Sequence, residues 1–221
     1  EEERFMPSTS DLDLFAELRS MPGLAEIPKE VTVDLVAAAS QRREHAGALL
    51  VEQGKASAAV QMLARGAAKI VRVPSAASGP DDEIVVDVLR GPTILADASA
   101  LDGRASPTSV VALRSSQIIS VPSHAFDKLA RAYPDLARAV ALRHAAEARA
   151  HARHLEELVI GSVDERLRRL LDRLAAEHGT PLGQGRFIAI PLRRRDVASL
   201  VNATTETVSR LLAKLERDGA A

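Results

Sequence analysis

The chain has 221 residues, which is enough for one large domain or two small ones that each bury a core. Its residues are 46% hydrophobic and 27% charged, and no apolar run approaches the roughly 20 residues of a transmembrane helix, so a cytoplasmic protein without a membrane partner is predicted. The absence of cysteine excludes disulfides, thiolate zinc sites and cysteine-ligated iron–sulfur clusters. A net charge of −1 argues against a nucleic-acid binder that is basic all over, but not against a local basic patch.

The first half of the chain predicts an antiparallel β domain. Residues 1–12 have neither a basic start nor an apolar stretch and are predicted to be a flexible arm. Short helices follow, and between residues 47 and 121 come about eight short aliphatic runs separated by Gly, Pro, Ser and Asp. We therefore predict a β domain with short flanking helices at residues 13–122. Within it, PSAASGPDD at 74–82 is predicted to be a hairpin tip.

One long helix is predicted at residues 123–160. It carries a heptad a/d seam of small and apolar residues with two histidines, at alternating spacings of four and three. The seam consists of Ala137, Ala141, His144, Ala148, His151, Leu155 and Leu158. A lone helix has no use for such a seam, so homodimerisation along it is expected; the alternative is that the stripe lies on the β domain.

The remaining residues, 161–221, are predicted to form a separate helical domain. The long helix ends at Gly161, a candidate hinge, and SVDE at 162–165 has the capping-box pattern that begins a new helix. A loop, GTPLGQGRF, a short strand, IAIPL, and two further helices follow.

Residues 194–213, RRDVASLVNATTETVSRLLA, fit a helix-turn-helix position by position. Ala198 is small enough for a close helix crossing, and Asn202 stands where the turn needs a left-handed backbone. Val208 and Leu211 return the apolar contact, while Thr204 is placed to cap the second helix. The competing interpretation is a helical hairpin without a DNA function.

A helix-turn-helix places the outer face of its second helix in the DNA major groove. Glu206 and Arg210 project together at i and i+4; Arg can donate to O6 and N7 of guanine, and Glu can accept from cytosine. The candidate base-contacting residues are Thr205, Glu206, Ser209 and Arg210. The candidate phosphate-contacting residues are Arg193, Arg194, Arg195, Thr204 and Thr207.

A β domain, a long dimerising helix, a hinge and the recognition sequence ETVSR together resemble the CRP/FNR superfamily of bacterial transcription regulators. The resemblance extends to spaced glycines at Gly47, Gly54 and Gly66, and to the segments AFDKLARAYPDLA and VDERLRRLL on either side of the long helix. It implies an α+β fold: an N-terminal β-roll of the cyclic-nucleotide-binding jelly-roll type that senses an effector, a dimerisation helix, and a C-terminal winged helix-turn-helix.

The resemblance also implies partners. Glu206, Ser209 and Arg210 match the FNR branch, so a palindromic operator in double-stranded DNA with half-sites like TTGAT is expected, and RNA polymerase is an expected partner. Family members continue into a wing hairpin where this sequence reads ERDGAA, so a truncated wing is expected. Whether the protein activates or represses stays open.

The resemblance weakens in the effector cassette, GPTILADASALDGRASPTS. Cyclic-nucleotide binders present Gly-Glu for the ribose and Arg-Ser-Ala or Arg-Thr-Ala for the phosphate, whereas here Pro92-Thr93 replaces the acidic residue. Thr93, Arg104 and His151 are the candidate effector-pocket residues. The cassette argues against cyclic AMP, and the missing cysteines exclude the FNR iron–sulfur cluster.

The seam histidines offer a second hypothesis. His144 and His151 would each meet their own copy near a dimer axis, where neutral imidazoles could bind a metal or haem iron, or repel one another once protonated. The alternative function is thus a dimeric haem-, metal- or pH-responsive sensor with weak or no specific DNA binding; the simpler interpretation is that both histidines fill the seam. An enzyme that uses Glu147, His151 and His154 as metal ligands is rejected, because no second cluster completes a catalytic site.

Overall fold

A computed structural model describes residues 9–74, 83–96, 98–183 and 185–218 of the chain. The helices are α1 Thr9–Ser20, α2 Lys29–Ala38, α3 Ala98–Asp102, α4 Ser123–Ala132, α5 Pro134–Val159, α6 Val163–His178, α7 Arg194–Leu200 and α8 Thr205–Arg217. The strands are β1 Ser40–Glu44, β2 Leu49–Val51, β3 Ala59–Arg65, β4 Ala67–Arg72, β5 Ile84–Arg90, β6 Thr93–Ala96, β7 Ser109–Ala112, β8 Ser116–Pro122, β9 Gly179–Leu182 and β10 Gly185–Ile188. The predicted hairpin tip, after Pro74, lies outside the described residues.

The β domain consists of two four-stranded antiparallel sheets. Their strand orders are β1-β8-β3-β6 and β2-β7-β4-β5, and the inner faces share an apolar core that includes Leu63, Val110 and Ile118. The predicted number of about eight strands is confirmed, but the predicted start near Gly47 is wrong, because seven strands, β2 to β8, follow Gly47 and β1 precedes it. β1 begins at Ser40 and pairs with β8 as an edge strand. Its sequence, SQRRE, is almost wholly exposed and therefore lacks the apolar alternation that marks a strand.

Helices α1, α2 and α4 and the first turns of α5 cover the outer side of the first sheet. They share a core with β3 and β8 in which Leu18, Met21 and Phe126 are almost completely buried. The predicted flexible arm is wrong at residues 9–12, which belong to α1, and its residues 1–8 lie outside the described residues. Leu14 and Leu18 anchor this helix in the core, and this anchoring also holds the first turn of α1.

The predicted single helix at 123–160 is wrong, since the structure has two helices there. α4 ends at Ala132, Tyr133 has an extended backbone with φ −123° and ψ 93°, and Pro134 opens α5. Proline disfavours a helical conformation in the residue before it but suits the first turn of a new helix. The heptad seam nevertheless lies on one uninterrupted helix of 26 residues, α5.

The C-terminal domain comprises α6, a β-hairpin, α7 and α8. The predicted loop GTPLGQGRF is in fact most of this hairpin, in which Leu182 pairs with Gly185 and Gly179 with Ile188. Gly183 supplies a positive φ of 58° at the turn. The predicted strand IAIPL is correspondingly wrong, because only Ile188 belongs to β10.

A third apolar cluster joins the two domains. It brings Val71, Val85 and Val88 of the second sheet together with Leu170 and Leu174 of α6 and the buried face of the helix-turn-helix. Within the described ranges, no helix has both the length and the apolarity to cross a membrane.

Candidate nucleic-acid interface

The backbone between α7 and α8 turns as the motif requires. Asn202 has a φ of 48°, in the left-handed region that Asn tolerates better than most residues. The Ala203 amide donates to the Ala198 carbonyl at 2.9 Å, and the Val201 amide donates to the Val197 carbonyl at 3.1 Å. The predicted left-handed position at Asn202 is confirmed.

Buried side chains fix the angle between the two helices. Ala198, Val201 and Val208 are 4% exposed or less and pack in one cluster with Leu215, and Leu211 packs against them half-buried. Because one side of α8 is held in this core, its opposite side must face outward.

The first turn of α8 is capped as predicted. The Thr204 hydroxyl accepts the Thr207 amide at 3.2 Å and lies 2.9 Å from the Thr207 hydroxyl. Glu206 stands in this turn, where a carboxylate interacts favourably with the helix dipole.

The four candidate base-contacting residues share the outward side of α8. Thr205, Glu206 and Arg210 are exposed and Ser209 is half-buried. An acceptor and a bidentate donor therefore stand one turn apart, on a helix whose other side is anchored. This arrangement can meet the edges of base pairs in the major groove.

The candidate phosphate-contacting residues surround the start of both helices. Arg193, Arg194 and Thr204 are exposed, whereas Arg195 and Thr207 are half-buried. Asp196 is 1% exposed, and its carboxylate accepts the Arg193 amide at 2.8 Å, which fixes the first turn of α7. Two of the three arginines thus have side chains open to solvent at one edge of the site.

Arg166 of α6 contacts the turn, a role that the sequence analysis missed. Its Nε donates to the Val201 carbonyl at 2.9 Å and Nη2 to the Asn202 carbonyl at 3.3 Å. Nη1 donates to the Gly161 carbonyl at 2.8 Å. One guanidinium therefore links the predicted hinge to the turn before the recognition helix. An arginine on an exposed-looking helix stretch gives no sequence signal for such a contact.

The residues after α5 have the geometry of a sharp junction. Gly161 has a φ of 93°, and an added Cβ would lie 2.6 Å from the Glu165 carboxylate. The predicted capping box is confirmed: the Ser162 amide donates to Glu165 Oε2 at 2.7 Å, and the Ser162 hydroxyl accepts the Glu165 amide at 3.3 Å. These hydrogen bonds from Ser162 lower the pKa of Glu165.

The heptad seam faces solvent within the single chain. Leu155 is 64% exposed, Ala137, Ala141, Ala148 and His151 are exposed, and only His144 and Leu158 are half-buried. α5 instead packs on the β domain through Leu136 and Arg143. The alternative that the stripe lies on the β domain is therefore wrong.

The candidate effector-pocket residues lie in three environments. Thr93 is half-buried at the start of β6, where it pairs with Leu63. The Arg104 side chain is 87% exposed, with its Nε 4.0 Å from Asp102, and His151 is exposed on α5. The Arg104 guanidinium is thus solvated rather than enclosed.

The histidines form no metal-ligand cluster in the described part of the chain, where no group of three His, Asp or Glu side chains could hold a metal ion. His144 Nδ1 lies 3.3 Å from Glu147 Oε2, on the partly buried edge of the seam.

Comparisons with known proteins agree with both halves of this architecture. Residues 41–133 match the family model of the cyclic nucleotide-binding domain, and residues 165–221 match that of the Crp-like helix-turn-helix domain. The transcriptional activator protein FnrA of Stutzerimonas stutzeri is 24% identical over 173 residues, which cover 78% of this chain and 69% of FnrA.

Two solved structures are similar over most of their length. FixK2 from Bradyrhizobium japonicum has a TM-score of 0.68 at 19% identity, with 82% of this chain and 86% of FixK2 covered. The c-di-GMP-responsive global regulator CLP of Xanthomonas campestris has a TM-score of 0.71 at 17% identity, with 87% and 93% covered. At these identities the structures show that the fold is shared.

Proposed function

Because the chain belongs to the CRP/FNR superfamily of transcription regulators, we propose that it is a homodimeric regulator that reads a palindromic operator with α8. The observation that carries this proposal is the exposure of Thr205, Glu206 and Arg210 on a recognition helix whose opposite side is buried. A helical hairpin without a DNA function would have no need to hold an acceptor and a guanidinium together in solvent.

Each side chain has a distinct role in this proposal. Arg210 donates two parallel hydrogen bonds to O6 and N7 of a guanine, and Glu206 accepts from the amino group of a cytosine. Thr205 and Ser209 make adaptable polar contacts beside them. Arg193, Arg194 and Thr204 bind phosphates and fix the register, with Arg195 and Thr207 at the inner margin of the same surface.

Two copies pair along the exposed seam of α5. Burying Leu155 and Leu158 against a partner removes apolar surface from water, and the small residues Ala137, Ala141 and Ala148 allow close approach of the two helices. The dimer would present its two recognition helices about 34 Å apart, one turn of DNA. Half-sites of the FNR type, TTGAT, are expected, with RNA polymerase as a partner in the cytoplasm.

The β domain is proposed to sense an effector other than cyclic AMP. Thr93 replaces the acidic residue that contacts the ribose in cyclic-nucleotide binders, and the Arg104 guanidinium is solvated. Isothermal titration with cyclic AMP is expected to give no saturable heat, whereas a one-to-one binding isotherm would overturn this part of the proposal.

Selection from a random duplex library tests the DNA function. Wild-type protein should enrich an inverted repeat, and Arg210→Ala should bind the enriched duplex about 1 to 3 kcal/mol more weakly and lose its preference at one position of each half-site. Arg217→Ala is the matched control, because it removes one exposed charge from the far end of the same helix. Enrichment of no sequence, or equal losses in both variants, would contradict the proposal.

A further inference from the structure

The β domain and the DNA-reading domain are docked against each other by charged as well as apolar contacts. Val85 and Val88 on β5 pack with Leu170 and Leu174 of α6, while Arg173 of α6 donates to Asp87 at 2.8 Å. Burial alone would lower the pKa of Arg173, but Asp87, together with Glu177 and Glu157, raises it overall. The interface therefore combines apolar packing with a specific ion pair, which defines how the two domains are aligned.

The most buried of the charged contacts centres on Lys69 of β4. Lys69 is 7% exposed, its ammonium contacts the carboxylate of Glu83, and Nζ lies 3.4 Å from Oδ1 of Asp196. Asp196 is the same residue that accepts the Arg193 amide at the start of α7. One lysine of the β domain thus holds the first turn of the helix-turn-helix, 127 residues further along the chain.

This docking leaves the DNA-reading surface open. Thr205, Glu206 and Arg210 are exposed in the docked arrangement, as are Arg193 and Arg194. At the same time, Glu83 and Ile84 line a groove together with Asn202, Thr204 and Thr205. The start of β5 therefore lies beside the start of α8, and Glu206 and Arg210 on the outward face of α8 stay exposed.

We propose that Lys69, which has no expected contact with DNA, is a positioning residue that sets the orientation of the DNA-reading domain relative to the β domain. This inference rests on the proposed function. A dimer reads a palindrome only when both recognition helices are held at the spacing of the half-sites, so a residue that fixes the domain angle controls that spacing. Removing the ammonium would leave the buried carboxylate of Asp196 and the half-buried carboxylate of Glu83 without their counter-charge, which strongly disfavours docking.

The DNA experiment compares Lys69→Met, Lys69→Arg and the control Lys55→Met, in which the replaced ammonium makes an exposed ion pair with Glu52. Each variant is titrated with the selected operator, with operators whose half-sites are moved by one or two base pairs, and with a random duplex. Lys69→Met should weaken binding to the selected operator about tenfold or more. It should also reduce the difference in affinity between that operator and those with shifted half-sites, and leave random-duplex binding unchanged. Lys69→Arg and Lys55→Met should keep the wild-type profile.

A rescue variant tests whether uncompensated charge causes the loss. Lys69→Met combined with Asp196→Asn removes the more deeply buried of the two uncompensated charges but keeps a side-chain oxygen for the Arg193 amide, so the spacing preference should be largely restored. A misfolded Lys69→Met protein would also lose its binding to random duplex, so unchanged random-duplex binding distinguishes altered domain orientation from misfolding. An unchanged spacing profile in Lys69→Met, or failure of the rescue, would overturn the proposal.

Domain docking can be measured without DNA, because the chain has no native cysteine. Spin labels at Arg43→Cys on β1 and Lys214→Cys on α8, diluted with unlabelled protein, should give a narrow distance distribution that broadens in Lys69→Met. An unchanged distribution would show that Lys69 does not hold the domains. If wild-type protein selects no DNA sequence, the proposed function and the positioning role both fail, whereas a failure of Lys69 alone leaves sequence selection intact.

Discussion

Replacing Arg166 with methionine should destabilise the DNA-reading domain more than any other single change of an arginine on α6. Methionine keeps most of the side-chain volume but removes the donors that reach Val201, Asn202 and Gly161. The turn before α8 would then lose its connection to the start of α6.

The magnitude follows from the three hydrogen bonds. Val201 is 1% exposed, so its carbonyl would lose a charged donor at a position that water reaches poorly. A hydrogen bond to a charged group contributes about 1.5 to 3 kcal/mol, and the bonds to Gly161 and Asn202 contribute less because they are exposed. We expect a total loss of about 2 to 3 kcal/mol, or roughly 10 °C in the unfolding temperature of a domain of this size.

The assay is thermal and urea unfolding of Arg166→Met beside Arg168→Met. Arg168 lies two residues away and makes an exposed i,i+4 ion pair with Asp164 at 2.9 Å, so its loss should cost below about 0.5 kcal/mol. Both variants lose one positive charge from the same helix. Equal unfolding midpoints for the two variants would refute the assignment of Arg166 to the turn.

Three further changes probe other parts of the structure. Thr204→Ala removes the cap of α8 and should cost about 1 kcal/mol in urea unfolding; an unchanged midpoint would argue against the cap. Leu155→Glu places a charge in the seam and should convert dimer to monomer in analytical ultracentrifugation, whereas the exposed neighbour Arg153→Glu should not. Burial is the largest cause that lowers the pKa of His178; the positive charges of Arg90, Arg173 and Arg114 lower it further, and Asp87 opposes them. As the pH falls, the His178 imidazole is therefore protonated in the unfolded chain before it is protonated in the folded chain. The contribution of His178 to the free energy of unfolding should be complete above pH 6.5, the ordinary pKa of His, and should decrease below that pH. His178→Gln should lose less stability than the wild type as the pH falls. An equal loss in both proteins would show that His178 does not cause it.

The helix-turn-helix could be predicted from sequence because its determinants are local. The spacing of Ala198, Asn202 and Val208 encodes a close crossing, a left-handed residue and an apolar contact within a few turns of chain. The capping box of Ser162 and Glu165 is equally local. Such features depend on neighbours that are near in sequence.

The misses have a different physical origin. β1 is polar because it is an exposed edge strand whose pairing with β8 comes from the backbone, so its side chains carry no signal. Pro134 indicates a break between α4 and α5, but the residues on both sides have a helical composition, which favoured one continuous helix. Contacts such as Arg166 with Val201 and Lys69 with Asp196 join residues that only the tertiary fold brings together, 35 and 127 positions apart.

The central claim is that Arg210 reads a guanine in the major groove, and methylation interference on the selected operator tests it most directly. Methylation at guanine N7 should block wild-type binding at one guanine in each half-site, because the Arg210 guanidinium needs that acceptor. The same modification should have no effect on the residual binding of Arg210→Ala. Interference at no guanine, or identical interference in both proteins, would contradict the claim.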